Sequence, residues 1–274
     1  MNRIVILSAA LLVALPLASQ EQISRTDIVD SLLAYSTAKS NLEFFQVTLL
    51  RRAEAFQEFL DHASSASLRN AIKNHYDPSK LLKEISRRCE PQLSLPQLLA
   101  SLRWYESPVG AKISRSEYES VLASAAKEFS QFRQEEMQKY RTQRRRLLLE
   151  RLNGHQAMNS DVDDMIATHF RKLLSLTDPQ IFGSPGTESV TIKRNVASLL
   201  TRLDLQLRET LNALPSFTYR RVTNNELQMY NEFYESAEGA SVGGLIAREV
   251  RTALENALDG ATAELPSPRG RTQP

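Results

Sequence analysis

One short segment groups residues that could hold an anion. Trp104-Tyr105-Glu106-Ser107-Pro108-Val109-Gly110-Ala111-Lys112 places Ser as a helix cap and Pro at the first helical position, with a cation one turn on. The N–H groups that open a helix attract negative charge, so Ser107 and Lys112 together could bind an anion. A simpler reading is mechanical: a helix restart needs only its cap, an aromatic pair fills a core, and Gly110 admits a close neighbour. Two Ser-x-x-Lys runs, Ser36 to Lys39 and Ser124 to Lys127, invite acyl-transfer chemistry. That chemistry also needs Ser-Asp-Asn and Lys-Thr-Gly elements, and the chain has neither.

Metal and cofactor chemistry find little footing. Asn159, Asp161 and Asp163 alternate like the start of a calcium loop. The sixth position is Asp164 instead of Gly and the twelfth is Phe170 instead of Glu, so the loop pattern fails. His62, His75, His155 and His169 have no ligand spacing, and no metal or other cofactor is expected. A basic stretch, Lys139, Arg141, Arg144, Arg145, Arg146 and Arg151, borders Leu147, Leu148, Leu149 and Leu152. It reads as a surface for an acidic partner or an anionic membrane, or as a solvated helix that packs its leucines inward.

The elements that must position these groups read as helices. The chain has 274 residues, 42% hydrophobic, with only 9 glycines, which favours long helices over tight turns. Ile28, Leu32, Tyr35, Leu42, Phe45, Leu49, Phe56 and Leu60 recur at helical spacing, with polar Thr37 to Asn41 as the place of a kink or split. Ser94 with Gln97, and Thr223 with Glu226, spell capping boxes. Val109, Ile113, Val121, Phe129 and Phe132 mark the buried face of a helix predicted to run from Pro108 to Leu152. Ile192, Val196, Leu199, Leu200, Leu203, Leu207, Leu211 and Leu214 form the cleanest apolar stripe.

The opening segment has an echo. Phe233-Tyr234-Glu235-Ser236-Ala237-Glu238-Gly239 repeats the aromatic pair, Glu-Ser and Gly of Trp104, Tyr105, Pro108 and Gly110's segment, offset by 129 residues. The two capping boxes share that offset. The expectation is all-α, with two tandem related helical units over 26–152 and 160–258. The second copy has Ala237 for Pro and Ser241 for Lys, which favours a shared packing role over a shared ligand.

Residues 1–20 have the layout of a secretory signal peptide: Arg3, a 12-residue apolar run from Ile4 to Leu15, then Pro16 and Leu17-Ala18-Ser19-Gln20. That run rises about 18 Å, too short for a hydrocarbon core of about 30 Å. Residues 260–274, with Pro266, Pro268 and Gly270, read as a disordered tail. Net charge is +2, or +1 once Arg3 leaves with the leader, so charge gives no reason to expect nucleic acid. Cys89 is alone, so no internal disulfide can form.

With Trp104 to Lys112 in view, the chain resembles an exported bacterial family, domain-of-unknown-function family 2059. The resemblance rests on Tyr105, Ser107, Pro108, Gly110 and Lys112, is strongest over 94–125 and extends more weakly to 223–256. It implies a helical, leader-bearing, periplasmic protein and carries over no catalytic or ligand residue. Two functions remain open. One is a non-enzymatic periplasmic protein that binds a protein partner or envelope component. The other is a carrier of a small apolar ligand between helices, lined by Trp104, Tyr105, Phe233 and Tyr234. An enzyme whose site assembles from distant residues is a third reading.

Overall fold

The computed structural model describes residues 24–121, 125–136, 142–155, 161–178 and 187–265. The leader expected at 1–20 lies outside them. The fold is all-α, with no strand among the described residues.

Local chemistry sets most helix boundaries. Helix α1 (Arg25–Tyr35) starts from Ser24, whose hydroxyl accepts from the Asp27 N–H while the Asp27 carboxylate accepts from the Ser24 N–H. The Ser24 hydroxyl, which donates to that carboxylate at 2.6 Å, and then the Ser24 N–H hold the Asp27 carboxyl below its usual range. Ser36 is extended, so the pattern splits there and α2 spans Ala38–Ala55. Asp61 caps α3 (His62–His75). Asp77 accepts from Ser79 and Lys80 to open α4 (Pro78–Cys89), where Pro sits without losing a bond. The Ser94 box opens α5 (Leu95–Glu106), and α6 (Pro108–Val121) follows directly.

Among the described residues, the helix predicted from Pro108 to Leu152 is interrupted at Thr142, which is not helical. After α6 come α7 (Ala125–Gln131), a π-helical turn at Phe132–Glu136, and α8 (Gln143–His155). Phe132 belongs to a satellite cluster with Phe129, Leu214 and Phe217, so it leaves the main core's stripe. Then follow α9 (Val162–Thr177), α10 (Thr187–Thr218), α11 (Asn224–Glu235) and α12 (Ala237–Glu264).

Helix α12 unites the fold. Its buried face runs Val242, Leu245, Ile246, Val250, Ala253, Leu254, Ala257, Leu258 and Ala261. It packs on α3, α4 and α5 as well as on α9 and α11. Each Leu or Val buried there stabilises the fold by about 2 kcal/mol. The disordered tail expected from residue 260 is corrected over its first part. The helix continues to Glu264 because Gly260 sits against His75, Ala261 and Leu265 are buried, and His75 Nε2 meets the Glu264 carboxylate at 2.8 Å. Pro266 to Pro274 lie outside the described residues.

Core residues from both halves form one contiguous cluster. The described helices do not confirm the two-unit repeat beyond its corners: those of 11, 18, 14 and 12 residues come before α5 in the first half, and described helices of 16 and 32 residues come before α11 in the second. Cys89 is fully buried under α12, and that burial, with Glu249 nearby, pushes its thiol up to about 12. No helix among the described residues is long and apolar enough to cross a membrane.

Candidate functional site

The two echoed corners share one geometry. Ser107 and Ser236 are both extended, at φ −64 ψ 157 and φ −66 ψ 154. Ser107 Oγ donates to the Trp104 carbonyl at 2.6 Å and accepts from the Gly110 N–H at 3.1 Å. Ser236 Oγ does the same with the Phe233 carbonyl at 2.7 Å and the Gly239 N–H at 3.1 Å. A Cβ on Gly110 would stand 2.1 Å from the Trp104 carbonyl oxygen, and one on Gly239 2.0 Å from that of Phe233. Each corner therefore needs its Gly for close approach of backbone to backbone.

The corners meet face to face. Trp104 stacks on Phe233 at 4.2 Å and on Tyr230 at 5.1 Å, while Tyr105 meets Phe233 edge-on at 5.6 Å. Such pairs add about 0.5–1.5 kcal/mol each beyond area burial. Trp104 and Phe233 are spent on this packed seam.

Beside the seam lies a buried carboxylate. Glu117 sits one turn beyond Ile113 on the inner stripe of α6 and is only 4% exposed. Its Oε1 accepts from the Tyr219 hydroxyl at 2.6 Å and the Tyr230 hydroxyl at 2.9 Å. The Tyr230 and Tyr234 hydroxyls are 3.3 Å apart. Burial, with help from Glu117 and neighbouring phenols, raises Tyr105 and Tyr230 well above the usual phenol range, so both stay protonated donors. Arg145 fixes the turn that carries Tyr219. It donates to the Tyr219 carbonyl, to the Val222 carbonyl at 3.0 Å and to Asn224 Oδ1 at 3.1 Å. Carbonyls at a helix end favour such a cation.

Glu117 and Tyr219 line a pocket of about 90 Å³ that opens to solvent between α2, α6, α8, α9 and α10. Phe44, Val162, Leu211, Leu214 and Pro215 supply its apolar wall. Thr37 and Asn41 also border a second pocket of about 30 Å³, which Tyr105, Tyr234 and His155 line. Tyr219 at the first pocket and Tyr234 at the second are thus joined through Glu117 and Tyr230. Of the four aromatics expected to line a ligand site, Tyr105 and Tyr234 border the smaller pocket, and Trp104 and Phe233 border neither of these two.

Other expected residues have internal partners. Lys112 Nζ holds both Glu226 carboxylate oxygens at 2.8 Å. Arg144 donates to Asn225 and Gln228, Arg146 pairs with Glu150 at 3.5 Å, and Arg151 pairs with Glu235. Lys139 and Arg141 lie outside the described residues. Of the Ser-x-x-Lys runs, Ser36 Oγ donates to the Leu33 carbonyl, while Lys39 approaches Glu43 at 4.0 Å; Ser124 lies outside the described residues. Asp163 and Asp164 share Arg208, and Asp161 pairs with Arg251, while Asn159 lies outside. Among the described residues no group of three or more His, Cys, Asp or Glu could hold a metal ion.

Glu226 has a double task, since its carboxylate also accepts from the Thr223 N–H at 2.7 Å. Lys112 first, then Thr223, holds it below the usual carboxylate range. Glu226→Ala should cost about 1–2 kcal/mol, and Glu226→Gln, which keeps the cap, less than half of that. Urea unfolding of the two variants checks the ordering.

The sequence did carry one sign of Glu117: an acid at a position of the Val109–Ile113–Val121 stripe. Its tyrosine partners, more than a hundred residues away, left none. No family model, curated protein or solved structure matches this chain.

Proposed function

We propose that this protein binds a small, mainly apolar molecule in the pocket between α2, α6 and α10. The observation that carries this reading is the pocket itself, lined by apolar Phe44, Val162, Leu211, Leu214 and Pro215 together with polar residues such as Thr37, Ser40 and Asn41. Ligand sites between helices combine these two kinds of surface. Its size suits a short chain more than a ring, since it is smaller than the cavity of about 150 Å³ that accepts benzene. Export to the periplasm belongs to the proposal, supported by the leader layout of 1–20 and the resemblance over 94–125. Docking to an envelope component or anionic membrane through Arg144, Arg145 and Arg146 draws less support. Arg145 is buried on backbone carbonyls, and its two neighbours have partners within the chain.

The test is an NMR titration of the full chain with 1-hexanol. Binding with a Kd on the order of 1 mM is expected for so small a ligand, with amide shifts centred on Asn41 and Ser120. Leu211→Trp puts a ring into the pocket and should abolish the shifts. Shifts scattered away from the pocket, or equal binding by the Trp variant, would refute the reading.

A further inference from the structure

We infer that the ligand of this pocket carries an uncharged head group that both donates and accepts hydrogen bonds, of which a carboxamide is the type, held by Thr37 and Asn41. This rests on the reading of the pocket as a ligand site and adds the chemistry of the head group.

The lining offers an ion no counter-charge. Glu117 is the one charged residue among the described lining residues, and its carboxylate is committed: Oε1 accepts from two phenols and Oε2 is buried. Taking an ion out of water without a partner costs far more than taking out a neutral polar group. The Ser40 and Ser120 hydroxyls already donate to the Thr37 carbonyl at 3.0 Å and the Glu117 carbonyl at 2.7 Å. Thr37 and Asn41 are different. Thr37 stands at the N-cap of α2, yet its hydroxyl makes no cap bond. The Asn41 carboxamide has no hydrogen-bond partner among the described residues. Asn41 lies one turn on, its N–H bonded to the Thr37 carbonyl at 2.9 Å, so the two side chains share one face of the helix. Both are half-buried, and they are the two residues common to both pockets. A hydroxyl and a carboxamide each donate and accept. A carboxamide head on the ligand can meet both of them, and an alcohol meets them only in part.

Four probes with one tail length separate these cases: hexanamide, 1-hexanol, hexanoate and hexylammonium, titrated at pH 7 into the full chain by NMR. Hexanamide should bind about threefold or more tighter than 1-hexanol, and both ions about tenfold or more weaker than the alcohol. Asn41→Leu and Thr37→Val remove the polar groups with little change in volume, and each should weaken hexanamide about fivefold. Circular dichroism melts confirm that each variant folds. An ion that binds as tightly as hexanamide, or an amide affinity that neither variant changes, overturns the head-group inference, and binding of 1-hexanol then leaves the pocket reading standing. Failure of all four probes overturns both.

Discussion

Gly110→Ala should lower stability by about 3 kcal/mol, a fall in melting temperature on the order of 10 °C for a chain of this size. The added methyl would stand 2.1 Å from the Trp104 carbonyl oxygen and 2.8 Å from the Tyr105 Cα. Both are backbone atoms, so no rotamer change relieves the clash. Opening the corner would shift Trp104 off Phe233 and Tyr230, loosening the seam as well. Gly239→Ala should behave alike, because its methyl would meet the Phe233 carbonyl at 2.0 Å. Gly154 is the control. Nothing lies within 4 Å of a Cβ there, and it sits in the last turn of α8, so Gly154→Ala should be neutral or gain up to about 1 kcal/mol. Thermal melts of the three variants decide it. A Gly110→Ala protein that melts with the parent would show that the corner relaxes without cost.

The second large effect is acid sensitivity centred on His169. This ring is 4% exposed in the core, packed edge-on to Phe45 at 5.3 Å, with its Nδ1 3.0 Å from the Tyr76 hydroxyl. Burial first, then Lys172, lowers its pKa to about 4, against a partial counter-effect from Asp259. Between that value and about 6.5 the unfolded chain binds the proton and the folded one does not. Stability is therefore full above about pH 6.5 and falls as the pH drops toward 4, by roughly 3 kcal/mol in all. His169→Asn offers Tyr76 an oxygen in place of Nδ1 and cannot titrate, so its stability should stay nearly flat over that window. Asp27, Glu226 and Glu235 are held below the usual carboxylate range. Their contribution is lost only at lower pH, and it remains in the variant. Urea unfolding at pH 7, 5.5 and 4 measures both curves; parallel slopes would remove His169 as the cause.

Features set by near neighbours were legible in the sequence. Ser94 with Gln97 and Thr223 with Glu226 form the boxes their spacing promises, because a cap needs only residues within one turn. The Ser-Pro restart at 107–108 was legible for the same reason. Long-range packing was not. Gly260 reads as a helix end, yet His75 from α3 fits the space its missing side chain leaves. Arg145 sits in a basic run that reads as surface, yet it is buried on carbonyls of a turn 74 and 77 residues later. Glu117 became a site only through Tyr219 and Tyr230, which no local pattern ties to it.

The position of α12 has a consequence for how the protein is made. Its face covers α3, α4 and α5, some 170 residues earlier in the chain, so the nascent N-terminal half leaves the ribosome with sticky surfaces that nothing local can cover. Such distant pairings slow closure and lengthen the period in which a holding chaperone is useful. For a polypeptide proposed to thread through a translocation channel, that delay is an asset: the chain stays pliable until α12 has been synthesised.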